Sequence, residues 1–157
     1  MRRFARTALV ATGLVAAAAV LGPVPVAGAT TMPLSQKLRN CDFSENPYQG
    51  AGDYGRAFAE MRSDGGTVTA DVHFATGTPN TPYDVRLIQV PRGLYCAPGD
   101  PGVAAVTMFT DGAGGGAITV SAPIQSGATG AWVSITRPNP FSQHPQEFYT
   151  TDYLFSV

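Results

Sequence analysis

The chain has 157 residues, 44% of them hydrophobic and only 13% charged, with 18 glycines and 13 prolines. Ten Lys and Arg stand against eleven Asp and Glu, scattered without a basic run or stripe, which excludes nucleic acid as a partner. The length suits one domain, and sparse charge with abundant Gly, Pro, Thr and aromatic residues points to a turn-rich β protein rather than a helical one.

Residues 1–29 have the build of an export signal. Arg2, Arg3 and Arg6 supply a charged start, and Ala8 to Leu21 follow without a charge. That apolar run is shorter than the roughly 20 residues a spanning helix needs. Gly22-Pro23-Val24-Pro25-Val26 then breaks any helix, and Ala27-Gly28-Ala29 fits a small-x-small cleavage site. The expectation is a secreted protein, cleaved after Ala29, with no stable membrane anchor left. Phe4 directly after Arg3 departs from the twin-arginine pattern and favours the general secretory route. Arg39-Asn40 precedes Cys41, which does not fit a lipoprotein signal. Cleavage removes three of the ten cations and none of the eleven acids, so seven stand against eleven and the mature charge is −4.

Cys41 and Cys96 are the only cysteines. Neither lies in a C-x-x-C spacing or near a histidine in sequence, so in an exported chain they read as one disulfide. Closing that loop stabilises by roughly 4 kcal/mol in the chain-entropy model.

Residues 30–53 read as an irregular lead-in, with turn signals at Asn46-Pro47, Gln49-Gly50 and Gly52-Asp53. Tyr54 to Arg62 reads as a first strand, with a short helix as the alternative. After the turn at Ser63-Asp64-Gly65-Gly66, Thr67 to Phe74 alternates cleanly: Val68, Ala70, Val72 and Phe74 face one way, and Thr67, Thr69, Asp71 and His73 the other. Tyr83 to Val90 is the next strand, with Tyr83, Val85 and Leu87 inward. Val103 to Thr110 and Ala117 to Ala122 read as a hairpin around the loop Asp111 to Gly116. Ala131 to Thr136 is a strand around Trp132, and Phe148 to Val157 is the last. Turn signals separate about seven strands. The fold class is therefore all-β, an immunoglobulin-like antiparallel β-sandwich over 54–157.

Two stretches carry a resemblance. Pro79-Asn80-Thr81-Pro82-Tyr83-Asp84-Val85-Arg86-Leu87 resembles the P-x-T-x-Y-x-V-x-L stretch of fibronectin type III and other immunoglobulin-like domains. That resemblance implies that Tyr83 is a structural tyrosine corner, buried with its hydroxyl on nearby backbone. The early Trp of fibronectin modules has no counterpart in 54–74. Residues 83–122, through Tyr83-Asp84-Val85, Cys96-Ala97-Pro98, Val106 to Phe109 and Thr110-Asp111-Gly112-Ala113-Gly114, look like the neocarzinostatin-type apoproteins. That likeness implies a small secreted sandwich carrying an apolar ligand in a cleft, although that family uses two short-range disulfides. In composition the chain also resembles small Ala/Gly-rich proteins exported by actinobacteria, a likeness that implies export and assigns no activity.

Catalytic patterns are sparse. Gly112 to Ala117 fits G-x-G-x-x-A, but Ile118-Thr119-Val120 follows as a strand, where a dinucleotide site needs a helix. His73 stands alone in Val72-His73-Phe74, without the H-x-H pair that a copper and zinc site of the superoxide dismutase kind uses. Ser126 lacks the glycine two positions before it that a nucleophile elbow requires. No metal and no cofactor is expected. The reading is a binding protein rather than an enzyme, for a protein partner or a small apolar ligand, with a hydrolase or metalloenzyme as the rival. The expected binding surface uses two of the loops 91–102, 111–116 and 137–147, with Tyr95, Phe141 and His144 as its candidate residues.

Secreted material should begin at Thr30. An intact mass that retains residues 1–29 would overturn the export reading.

Overall fold

Period-two alternation governs the strands of the computed structural model, which describes residues 28–50 and 54–157. The expected signal peptide lies outside them except for Gly28 and Ala29. The strands are β1 (Thr30–Ser35), β2 (Arg56–Ser63), β3 (Thr67–Ala75), β4 (Pro82–Val90), β5 (Val103–Phe109), β6 (Gly116–Pro123), β7 (Gly130–Arg137), β8 (Glu147–Thr151) and β9 (Phe155–Ser156). All pair antiparallel, in the order β5-β4-β7-β8-β1-β2-β3-β6, with β9 added beside β7. The join between β1 and β8 is thin: only Leu34–Thr151 and Ser35–Thr150 are paired. It divides the sheet into two four-stranded halves that close on each other as a near-barrel.

The core lies between the halves. Met61, Val68 and Val72 from one side meet Tyr83, Leu87 and Ile135 from the other, all fully buried. Strand β3 shows why: its alternate residues Val68, Ala70, Val72 and Phe74 are buried, as the pattern requires. No helix among the described residues is long and apolar enough to cross a membrane.

Four sequence expectations change. There are nine strands among the described residues, not about seven. The first of them, β1, lies inside the supposed irregular lead-in and is masked in sequence by Pro33. The Pro33 carbonyl accepts from the Asp152 N–H, on the side away from β2, so its missing N–H removes no bond from the β1–β2 ladder. The last strand is broken into β8 and β9, because Asp152 turns aside to bond β1 through both its backbone and its carboxylate, which accepts from the Ser35 hydroxyl. Finally, 103–122 is not a paired hairpin. Strand β5 pairs β4, and β6 pairs β3, at opposite ends of the sheet. The connection is tied to 76–81 instead: Gly77 N–H donates to Gly114 O at 2.9 Å, and the Thr110 hydroxyl to Thr78 O at 2.6 Å.

One end of the interior holds a buried carboxylate, Glu147, only 3% exposed. Burying a charge is costly unless it is paired and hydrogen-bonded. Here Glu147 accepts from the Tyr83 hydroxyl at 2.6 Å, the Tyr149 hydroxyl at 2.8 Å and Arg137 Nε at 3.1 Å. Each phenol oxygen in turn accepts a backbone N–H, Tyr83 from Thr78 and Tyr149 from Gly55, both at 3.0 Å. Tyr83 is thus buried with its hydroxyl on backbone, and its proton goes to the carboxylate.

Burial first, and then the bond to Glu147, raises both phenols above their ordinary value. A raised folded value favours the neutral phenol in the fold. The stability it contributes is complete below about pH 10 and is lost as pH rises towards the folded values. In an alkaline absorbance titration, the phenolate signals of Tyr83 and Tyr149 should appear only with unfolding. Difference spectra against Tyr83→Phe and Tyr149→Phe assign them. Ionisation of either residue while the fold persists would contradict this account.

Candidate functional site

The register places two sets of side chains on the β4–β7–β8 half. Val85, Leu87, Val133 and Ile135 point into the core. The opposite face carries the pairs Asp84–Thr136, Arg86–Ser134 and Ile88–Trp132, with Thr150 beside Ser134. On that outer face Ile88, Val90, Val103 and Trp132 form a second small apolar cluster, with Phe43 and Cys96 packed against it.

The segment 36–50 roofs this cluster. Its fold is local: Asn40 N–H donates to Ser44 O, Asn46 N–H to Leu38 O, and the Asp42 carboxylate accepts the Ser44 N–H and hydroxyl. These bonds hold the Asp42 carboxyl below its ordinary pKa. Anchors fix the roof to the sheet. The Cys41–Cys96 disulfide joins it to the 91–102 loop. The Thr150 hydroxyl donates to Lys37 O at 2.7 Å, and Arg39 Nη2 to Asp152 O at 3.3 Å. Phe43 meets Trp132 edge-on at 5.7 Å. Opposite the roof, the 137–147 loop forms a second wall, and the two touch where His144 stacks on Tyr48, 4.2 Å between centroids.

A cleft of about 330 Å³ remains between these walls. Its floor is polar, with Asp84, Arg86, Ser134 and Thr136, and Trp132 at one side. Five buried side-chain polar atoms among the described residues lack a hydrogen-bond partner, and three of them belong to residues lining this cleft: Arg39 Nε, Arg86 Nε and Trp132 Nε1. The other two belong to Arg92. Buried donors without acceptors are uncommon in folded proteins. Arg39 is otherwise engaged, donating Nη1 to Phe43 O at 3.0 Å with its guanidinium 3.9 Å from the Phe43 ring centroid. Among the described residues Arg86 uses only Nη1, on Cys96 O at 3.2 Å. Among the described residues the ion pairs are Arg62–Asp71 and Arg137–Glu147, so neither cleft arginine has a carboxylate partner.

The sequence-predicted residues fare unevenly. His144 lines the cleft, and loops 91–102 and 137–147 both reach it, through Cys96 and through Pro138, Asn139 and Ser142 to Pro145. Phe141 is 95% exposed and Tyr95 83% exposed, and neither lines it. The 111–116 loop packs on 76–81 and takes no part. His73 lies on the other half, stacked on Phe58. No group of three or more metal-ligating side chains occurs among the described residues. Sequence reasoning misses Arg39, Arg86 and Asp84, and places Trp132 in a strand without assigning it to the cleft. The available signal is strand β7, apolar at successive positions Ala131 to Val133, which predicts cover on both faces.

At its exposure Phe141 packs against no core. Phe141→Ala should change stability by no more than about 0.5 kcal/mol. A loss near 3 kcal/mol in denaturant unfolding would instead make Phe141 a packed core residue.

Comparison of the chain with family models, with curated proteins and with solved structures finds no match in any of the three.

Proposed function

We propose that this chain is an exported, non-catalytic binding protein on an immunoglobulin-like β-sandwich. Its ligand is small and polar and occupies the outer-face cleft. The observation that carries this reading is that three of the five buried, unpartnered side-chain N–H groups among the described residues belong to Arg39, Arg86 and Trp132, which line one concave space. A ligand with acceptor atoms satisfies donors that the protein leaves open. The volume lies at the small end of ligand pockets, which run from about 300 to 1,000 Å³.

The disulfide supports export, since such bonds persist in oxidising compartments. The Tyr83 hydroxyl on Thr78 backbone supports the immunoglobulin-like reading. A carrier of an apolar ligand between the sheets draws less support. The interior there is filled by side chains such as Tyr83, Tyr149, Met61 and Leu87, all essentially inaccessible. An enzyme reading draws less support too, because Glu147, a deeply buried carboxylate, has both oxygens engaged by protein donors.

Trp132 is the only tryptophan, so one indole reports on the cleft. Protein recovered from culture medium should carry a small-molecule adduct in native mass spectrometry. Release and re-addition of that molecule should shift Trp132 emission. Thr136→Phe, which fills the floor, should abolish both. An adduct retained in full by folded Thr136→Phe would move the site elsewhere.

A further inference from the structure

We propose that the cleft recognises the carboxylate of a small organic acid, received side-on by Arg86. This rests on the binding reading above and adds the chemical class of the ligand.

A guanidinium presents two kinds of edge. With Nη1 committed to Cys96 O, the edge that Arg86 keeps is Nε with Nη2, and Nε is buried without a partner among the described residues. Two parallel N–H groups on one planar edge match the two oxygens of a carboxylate, and this two-point geometry is what arginine offers and lysine does not. Protein atoms cover Arg86 Nε, but no described residue offers it an acceptor. Asp84 stands on the same face of β4, two residues away, yet makes no ion pair with Arg86.

Charge argues the same way. Two guanidiniums, Arg39 and Arg86, and one carboxylate, Asp84, line the cleft, so its formal sum is +1. A monoanion neutralises that sum, whereas a dianion such as phosphate leaves an excess beside Asp84. The mature chain is acidic as a whole, so a positive cleft stands out from its surroundings. Apolar neighbours Ile88 and Trp132 lower the local dielectric, and an ion pair there is worth more than one in open water. The remaining donors, Trp132 Nε1 and the amides of Asn139 and Gln143 on the far wall, suit a carbonyl or hydroxyl elsewhere on the ligand.

The test uses the whole mature protein with its disulfide intact. N-acetylated amino acids with free carboxylates, and the same compounds as C-terminal amides, are titrated against Trp132 emission and by calorimetry. The free acids should bind and the amides should lose at least tenfold in affinity, with binding weakened by salt. Arg86→Gln and Arg86→Lys should both lose at least tenfold, and Arg92→Gln should leave affinity unchanged. The acid–amide comparison needs no variant, so it stands even if an Arg86 substitution unfolds the chain. A short peptide with a free C-terminus separates the two sources of the group. Equal affinity of peptide and small acid extends the carboxylate class to chain ends, and preference for the peptide overturns the small-acid assignment. Acids and amides binding equally well, with Thr136→Phe blocking both, would overturn the carboxylate and leave the cleft as the site. No binding by any compound at millimolar concentration would overturn the carboxylate. An adduct on secreted protein that survives Thr136→Phe would instead sink the cleft.

Discussion

Strand β7 sits against two cores at once. Ala131, Val133 and Ile135 belong to the barrel interior, while Trp132 on the opposite face would meet water without the 36–50 segment. A sheet exposed on one side normally alternates apolar with polar residues. This strand does not, and every residue from Gly130 to Ile135 is buried. The roof, its disulfide and the cleft all follow from that one need for cover. A covering segment of this length has little regular structure, so ordering it costs backbone entropy of about 1–2 kcal/mol per residue. The Cys41–Cys96 bond, spanning 55 residues, reduces that cost by restricting the unfolded chain.

A roof made of loops does not fit a sheet as closely as a second sheet would. Three of the five unpartnered side-chain donors among the described residues belong to residues that line the gap between 36–50 and 137–147. It is the opposite of the Glu147 end, where a buried charge has three donors and both phenol oxygens also accept from backbone. Two arginines illustrate the contrast. Arg137 is consumed by the fold through Glu147, and Arg86 is held by one carbonyl with an edge to spare. The first is a structural ion pair. The second keeps a buried N–H that no described residue accepts.

Local alternation makes β3 and β4 plain in the amino-acid sequence, because Val68 to Phe74 and Tyr83 to Leu87 need only their own neighbours to be read. The nine-residue likeness around Tyr83 points to a buried phenol bonded to backbone, but not to its partner Glu147, which in sequence belongs to a proline-interrupted loop. Strand β1 is hidden because Pro33 is a breaker in most strands, and its exemption depends on Asp152, far away in sequence. The cleft is illegible for the same reason. Arg39 and Asp152 lie 113 residues apart, as do Lys37 and Thr150. Arg86 between Val85 and Leu87 has the pattern of any outward strand residue. Phe141 stands out as an aromatic between prolines, yet bulk in a loop says nothing about which way the loop turns.

The thin β1–β8 join sets the order in which the molecule can be assembled. Its contacts bring together residues such as Ser35 and Asp152, which are 117 positions apart. Pairings this remote are slow to form, since loop closure precedes the gain from contact. Each half can pair most of its strands beforehand, but β1 and β8 stay as bare edges until they meet. Bare edges are templates for other chains. The chain is therefore most vulnerable to misassociation late in folding, when nearly all of it is built and a single two-rung ladder is still open.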